Sequence, residues 1–248
     1  MSSKITLIQT IAKGAFQDGM EILQIVDLME RQNTGRINGN ISHSGAARAG
    51  ITIRNSMTTR LVILVAGAFA KTRQGDKHLR KGFEEMNNPD LRNQLSMDQL
   101  TFAQAEAMWQ RLVTDPRFAT IKHFRDKSTA HSADPAQGMR PPQYGEMFDF
   151  AKEVAATMEK FAVGVGVTTE ALSDTEDWRI DSSRKFWEPW EFLRTSYRDR
   201  SGVWIYVDTK TKVGDLDYLK VFANEETAKR WFAENDPEGV AFIYDVME

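Results

Sequence analysis

Leu61-Val-Ile-Leu-Val-Ala-Gly-Ala-Phe-Ala70 is the stretch on which the fold class turns. Ten apolar residues in a row are about half of the ~20 that cross a bilayer. The run sits inside a longer segment in which Ile53, Met57, Leu61, Leu64 and Ala68 recur at three- and four-residue steps. That period predicts a helix over about 46–72. Its second half is apolar nearly all round, as in the central helix of a bundle.

Working outward, the same period extends in both directions. Leu7, Ile11, Ala15, Ile22, Ile25, Val26 and Met29 predict a helix over about 5–31, which Gly14 and Gly19 each weaken by roughly 1 kcal/mol against Ala. Asn33-Thr-Gly-Arg-Ile-Asn-Gly-Asn-Ile-Ser-His-Ser-Gly45 is rich in residues that favour turns, and is expected to be a loop. A short helix near 76–86 is followed by a helix over about 98–113 with Phe102, Ala105, Met108, Trp109 and Leu112 inward. Asp115-Pro116 restarts the chain, because proline suits a first helical turn. The helix it opens carries Phe118, Ile121 and Phe124 and is expected to run to Ser132, before Asp134-Pro135. A last helix over 144–163 shows Met147, Phe150, Ala151, Val154, Met158 and Phe161 at helical spacing. Successive helices with short connections and no strand signal predict an antiparallel helical bundle over residues 1–163.

The character changes after Gly164. Residues 164–200 read as a linker and aromatic docking segment, with Trp178, Phe186, Trp187, Trp190, Phe192 and Tyr197 crowded together. Residues 201–248 read as a small ββαβ module: two runs rich in β-branched and aromatic residues, a helix that Asn224 can cap, and a final strand. The fold class expected is therefore mainly α, a helical bundle followed by a small α+β module. With about 45 residues for its own core, the module is expected to dock on the aromatic segment.

Composition narrows the chemistry. The 248 residues are 41% hydrophobic and 27% charged, in the range of an ordinary globular chain. With no cysteine there is no disulfide scaffold, no thiolate zinc site and no thiol nucleophile. Thr and Gln interrupt the apolar N-terminal stretch, so a secretory signal is not expected and the chain reads as cytoplasmic, with no membrane partner. The net charge of -3 is divided unevenly. Residues 1–167 carry 21 Lys+Arg against 17 Asp+Glu, whereas residues 168–248 carry 11 against 18. Within residues 36–81, nine cations including Arg48, Arg54 and Arg60 face one acid, Asp76, an electrostatic footprint that suits a polyanion such as RNA. The competing reading is a solvated helix surface balanced by acids elsewhere in the fold.

Four histidines leave few centres for proton transfer. His43 falls in the Asn/Gly stretch and His78 on a charged helix expected to be exposed, so both read as surface residues. His123 and His131 bracket Ile121-Lys-His-Phe-Arg-Asp-Lys-Ser-Thr-Ala-His-Ser132. No His-Glu-x-x-His, Gly-x-Ser-x-Gly or Walker-type loop occurs. An enzyme built on this stretch would work through Arg125 and His131 with neither metal nor cofactor.

Arg125-Asp126 followed by His131, with five residues between the Arg and the His, resembles the signature of the HEPN superfamily. The local Arg-Asp-Lys-Ser-Thr-Ala-His looks most like its abortive-infection branch, associated with toxin–antitoxin systems and phage defence. The resemblance covers about residues 1–163 and leaves the aromatic segment and the ββαβ module aside. It implies a metal-independent endoribonuclease in which the ribose 2′-hydroxyl attacks the adjacent phosphate. His131 would transfer protons, Arg125 would hold phosphate oxygens, and Asp126 would orient one of them. Ser128 and Lys127 would contact RNA. On a straight helix Arg125 and His131 point about 120° apart and lie ~9 Å apart along the axis. The family pattern answers this with two motifs facing each other across a homodimer. It also leaves room for an antitoxin or regulatory partner, and for the alternative of a non-catalytic binding or regulatory module acting through protein or nucleotide partners.

Overall fold

Thirty-one residues, Ser2–Gln32, form α1, the longest helix of the chain in a computed structural model that describes residues 2–126, 142–191, 202–207, 219–236 and 241–245. Its inner stripe of Ile8, Ile11, Ala12, Ile22 and Val26 is fully buried. The chain divides into two compact units, Met1–Glu191 and Phe192–Glu248.

In the first unit, α8 (Tyr144–Gly164) packs between α1 and α6 (Gln99–Thr114). It is apolar on most of its surface, with Phe150, Ala151, Val154, Ala155, Phe161 and Ala162 showing no exposure. Gly19 of α1 makes this approach possible. A Cβ there would lie 3.3 Å from the Ala155 carbonyl oxygen and 3.1 Å from Leu172 Cδ1, so the residue that weakens α1 locally lets α8 come close.

The apolar run that defined the fold class lies in α3 (Ala47–Ala68). Leu61, Val62, Leu64 and Val65 are buried, but Ile63 is 43% exposed. The central helix is thus α8 and not α3. The short helices α4 (Leu79–Glu85) and α5 (Pro89–Arg92) lead to α6, which Asp98 caps by accepting from the Leu100 and Thr101 backbone N–H groups at 3.1 Å. α7 (Pro116–Phe124) follows Asp115 without a break. Aromatic rings from several helices interlock, with Phe69 stacked on Trp109 at 4.8 Å and Phe83 set edge-on to Phe161 at 4.9 Å.

Two regions differ from the reading of the sequence. The Asn/Gly stretch is not a loop: Gly35–His43 form α2. Thr34 caps it by accepting from the Ile37 N–H, and Ile37 and Ile41, one turn apart, bury against Trp187. Asn40 Nδ2 donates to the Trp190 carbonyl at 2.6 Å. Tertiary packing outweighs poor helix propensity here. The second difference is the extent of the first unit, which takes in the described part of segment 164–200. A 3-10 turn at Leu172–Thr175 leads into α9 (Glu176–Glu191), which packs on α1 and α2. Trp187 is buried, whereas Trp178 and Phe186 are 56% and 52% exposed. Phe192 and Tyr197 lie outside the described residues.

The second unit has the expected element order. β1 (Gly202–Val207), β2 (Leu219–Phe222), α10 (Glu225–Asn235) and β3 (Phe242–Asp245) build a small antiparallel sheet in the order β2-β1-β3. Trp204 pairs with Phe222 on one side and with Ile243 on the other. Asn224 caps α10 by accepting from the Thr227 N–H at 2.9 Å. Tyr206 and Phe222 from the sheet enclose a core with Ala228 and Phe232 of the helix.

Candidate active-site helix and cationic surface

Asp115 opens α7, whose C-terminal end Arg125 follows directly. Its carboxylate accepts from the Arg117 backbone N–H at 2.8 Å, while Pro116 fills the first helical position, where an N–H would have no intrahelical partner. The Arg117 guanidinium returns to Asp115 and also reaches Glu153 on α8 at 2.8 Å, which pins the start of α7 to the central helix. Ile121 is 1% exposed and Phe118 and Phe124 pack on the same core. Arg125 therefore stands at the C-terminal end of a firmly seated helix.

Arg125 keeps helical backbone angles there, and its N–H bonds back to the Ile121 carbonyl of α7. Arg125 Nε donates to Asp126 Oδ1 at 2.8 Å, and Lys122 Nζ, one turn earlier, reaches Asp126 Oδ2 at 3.2 Å. Partial burial acts to raise the Asp126 carboxyl, but the hydrogen bonds from Arg125 and Lys122 outweigh it and hold the group below the usual aspartate range. Asp126 is thus a carboxylate at neutral pH, gripping a guanidinium whose side chain is 28% exposed. An arginine fixed in this way keeps its remaining N–H donors oriented, which suits recognition of an oxyanion. His131, Lys127 and Ser128 lie outside the described residues.

The three arginines read as RNA contacts separate into two kinds. Arg60 is bound to Glu21 by a two-pronged ion pair, with Nε to Oε1 at 2.6 Å and Nη2 to Oε2 at 2.7 Å. That pair holds Glu21 below the usual glutamate range, chiefly through the Arg60 hydrogen bond. Burial, with Glu21 nearby, raises the neighbouring Asp18. Arg48 is exposed and Arg54 half-buried on α3, and neither makes an ion pair among the described residues. One of the three arginines is therefore committed within the fold, and two are available to a ligand.

His43 is exposed, as expected, with Nδ1 2.6 Å from the Gly39 carbonyl oxygen. His78 is not a solvated surface residue: its side chain is 16% exposed and caps α4, where Nδ1 accepts from the Lys81 N–H at 3.4 Å. A capping histidine carries no distinctive spacing, so only the turn geometry exposes it. Sequence reasoning also missed Arg179, which is 5% exposed and ion-paired with Asp27 of α1. It lies in the segment that reads as a linker and aromatic docking segment. Among the described residues, no group of three or more His, Cys, Asp or Glu side chains is placed to hold a metal ion, and no helix is long and apolar enough to cross a membrane. The chain matches no protein-family model, no curated protein and no solved structure.

Proposed function

We propose that the chain is an HEPN-like, metal-independent endoribonuclease that cleaves RNA by attack of the ribose 2′-hydroxyl. The observation that carries this reading is the Arg125 guanidinium, held by the ionised Asp126 at the accessible end of a helix anchored in the core. In the proposed reaction the 2′-oxygen forms a bond to phosphorus as its proton passes to one histidine. The bond from phosphorus to the 5′-oxygen then breaks, and the leaving oxygen takes a proton from a second histidine. The products are a 2′,3′-cyclic phosphate and a 5′-hydroxyl. Arg125 neutralises charge on the non-bridging oxygens, and a homodimer brings two copies of the motif together. Cytoplasmic action in toxin–antitoxin control or phage defence is part of the same proposal.

The test is RNA cleavage by the purified full chain in EDTA. Cleavage that yields cyclic-phosphate ends and disappears in His131→Ala supports the reading. Activity that requires a divalent cation, or that survives 2′-deoxy substitution at the cut site, overturns it.

A further inference from the structure

A cleft of about 720 Å³ opens along α1, with α8 forming one wall and α9 the other. It is far from featureless. Half of its sixteen lining residues are charged, five acids against three bases, above an apolar surface that includes Leu23, Ala156, Leu172 and Ile180. The volume falls in the range of small-molecule sites.

The contacts between helices fix the order of charges along this cleft. Glu30 of α1 pairs with Lys152 of α8, while Gly19 lies against Ala155 and Met158, so α8 runs antiparallel to α1. Asp27 pairs with Arg179 and Arg31 with Glu191, so α9 runs in the same direction as α1. Glu159 and Glu176 therefore lie at the end near Leu23, Asp27 lies one turn further on, and Glu30 and Glu191 lie at the far end. Carboxylates recur about every helical turn, roughly 5.4 Å, over three levels.

Each of the three cations in the cleft is already engaged by a carboxylate: Lys152 by Glu30, Arg179 by Asp27, and Arg31 by Glu191. Two acids remain. Among the described residues Glu176 makes no ion pair, and Glu159 accepts only the Leu172 backbone N–H, at 2.8 Å. The cleft thus has an excess of two negative charges concentrated at one end. Burial, with Glu30 and Glu176 nearby, raises Asp27 despite its arginine partner, in keeping with a surplus of negative charge.

We infer that this cleft binds a linear aliphatic polyamine, with ammonium groups at the Glu159/Glu176 end and beside Asp27 and methylenes lying over Leu23, Ala156 and Ile180. Amines separated by three or four methylenes are roughly 5–6 Å apart at ordinary single-bond lengths, which matches the turn-by-turn repeat of carboxylates. The excess of negative charge requires more than one ammonium, and the apolar surface favours a carbon chain over a bare metal cation.

The experiment is calorimetric titration of the full-length protein with spermidine, alongside thermal unfolding. One-to-one binding is expected. Glu159→Gln with Glu176→Gln should weaken it about tenfold or more, since two charge-assisted contacts are lost while the amide introduced in place of Glu159 keeps an acceptor for the Leu172 N–H. Ala156→Leu, which fills the cleft without changing charge, should weaken it comparably. Glu225→Gln with Glu226→Gln on α10 should leave it unchanged. Absence of spermidine binding up to about 1 mM overturns the proposal, as does equal weakening by the α10 substitutions. Tighter binding of a lysine-containing tripeptide than of spermidine also overturns it, because it would identify a protein side chain as the ligand.

Discussion

Trp187 Nε1 donates a 2.9 Å hydrogen bond to the Leu28 carbonyl oxygen, and the indole that makes it is 1% exposed. This contact joins α9 to the C-terminal end of α1, while the ring packs with Ile37 and Ile41 of α2. Three segments that look independent in the sequence are thereby made one structural unit. Trp187→Ala should cost about 3–5 kcal/mol, the usual range for emptying a buried aromatic site. Urea unfolding followed by far-ultraviolet circular dichroism measures it, and a cost under about 1 kcal/mol would show that α9 is not integral to the unit.

Gly164 ends α8 against the backbone of α6. A Cβ there would lie 2.7 Å from Phe102 Cα and 2.8 Å from Phe102 N, atoms that cannot rotate away. Gly164→Ala should destabilise the first unit by about 1–3 kcal/mol despite the better helix propensity of alanine. Gly14, where an added Cβ would meet nothing within 4 Å, is the control: Gly14→Ala should stabilise by up to about 1 kcal/mol. Opposite shifts in melting temperature for the two variants are the expected result.

Asp115 predicts part of the acid sensitivity. The hydrogen bond from the Arg117 side chain chiefly holds its carboxyl below the usual aspartate range. A carboxyl with a lowered folded value stabilises the native state above the unfolded value, near pH ~4, and loses that contribution as the pH falls through the folded value. Asp115→Asn keeps a capping side chain but removes the titration. The stability difference between the wild type and this variant should therefore shrink as the pH is lowered from 5 towards 2. A gap that stays constant over that range would refute the assignment.

The two kinds of arginine in the basic stretch should differ in RNA binding. Neutralising both Arg48 and Arg54 should lower the slope of log affinity against log salt by about 1.4, at ~0.7 per phosphate contact on single strands. Arg60→Ala should leave the slope nearly unchanged, because Glu21 already occupies its guanidinium. Filter binding across a salt series measures both. An equal loss in the two variants would mean that the Glu21 pair opens on binding.

In the proposed reaction, Arg125→Lys should be nearly as damaging as Arg125→Ala, because a point charge cannot reproduce the planar fork. His131→Ala should lower the cleavage rate by roughly 10²–10⁴ while leaving RNA affinity largely intact. Asp126→Asn tests a positioning role. It should reduce kcat with little change in KM, since Asp126 holds Arg125 rather than RNA.

Much of the helical framework is legible in periodicity because each helix buries a continuous stripe. Ile11, Ala15, Ile22 and Val26 repeat at the spacing that faces a core, and they are buried. Asp115 and Asn224 are readable as a restart and a cap because capping depends on local geometry and a side-chain acceptor. Of the candidate catalytic pair, Arg125 and its Asp126 partner are adjacent in sequence and so can be paired by inspection, whereas the convergence of Arg125 with His131 depends on geometry beyond one straight helix.

The sequence by itself determined the mainly helical first unit, the ββαβ order of the second and the uneven distribution of charge, because these follow from local propensity, period and composition. Tertiary structure decided the rest. It made α2 a helix by burying Ile37 and Ile41 under Trp187, and chose α8 over α3 as the central element. It also engaged Arg60 with Glu21 across 39 residues and lined one cleft with side chains from four separate helices. No local pattern encodes such pairings, since their stability arises only when distant segments exclude water from the same volume.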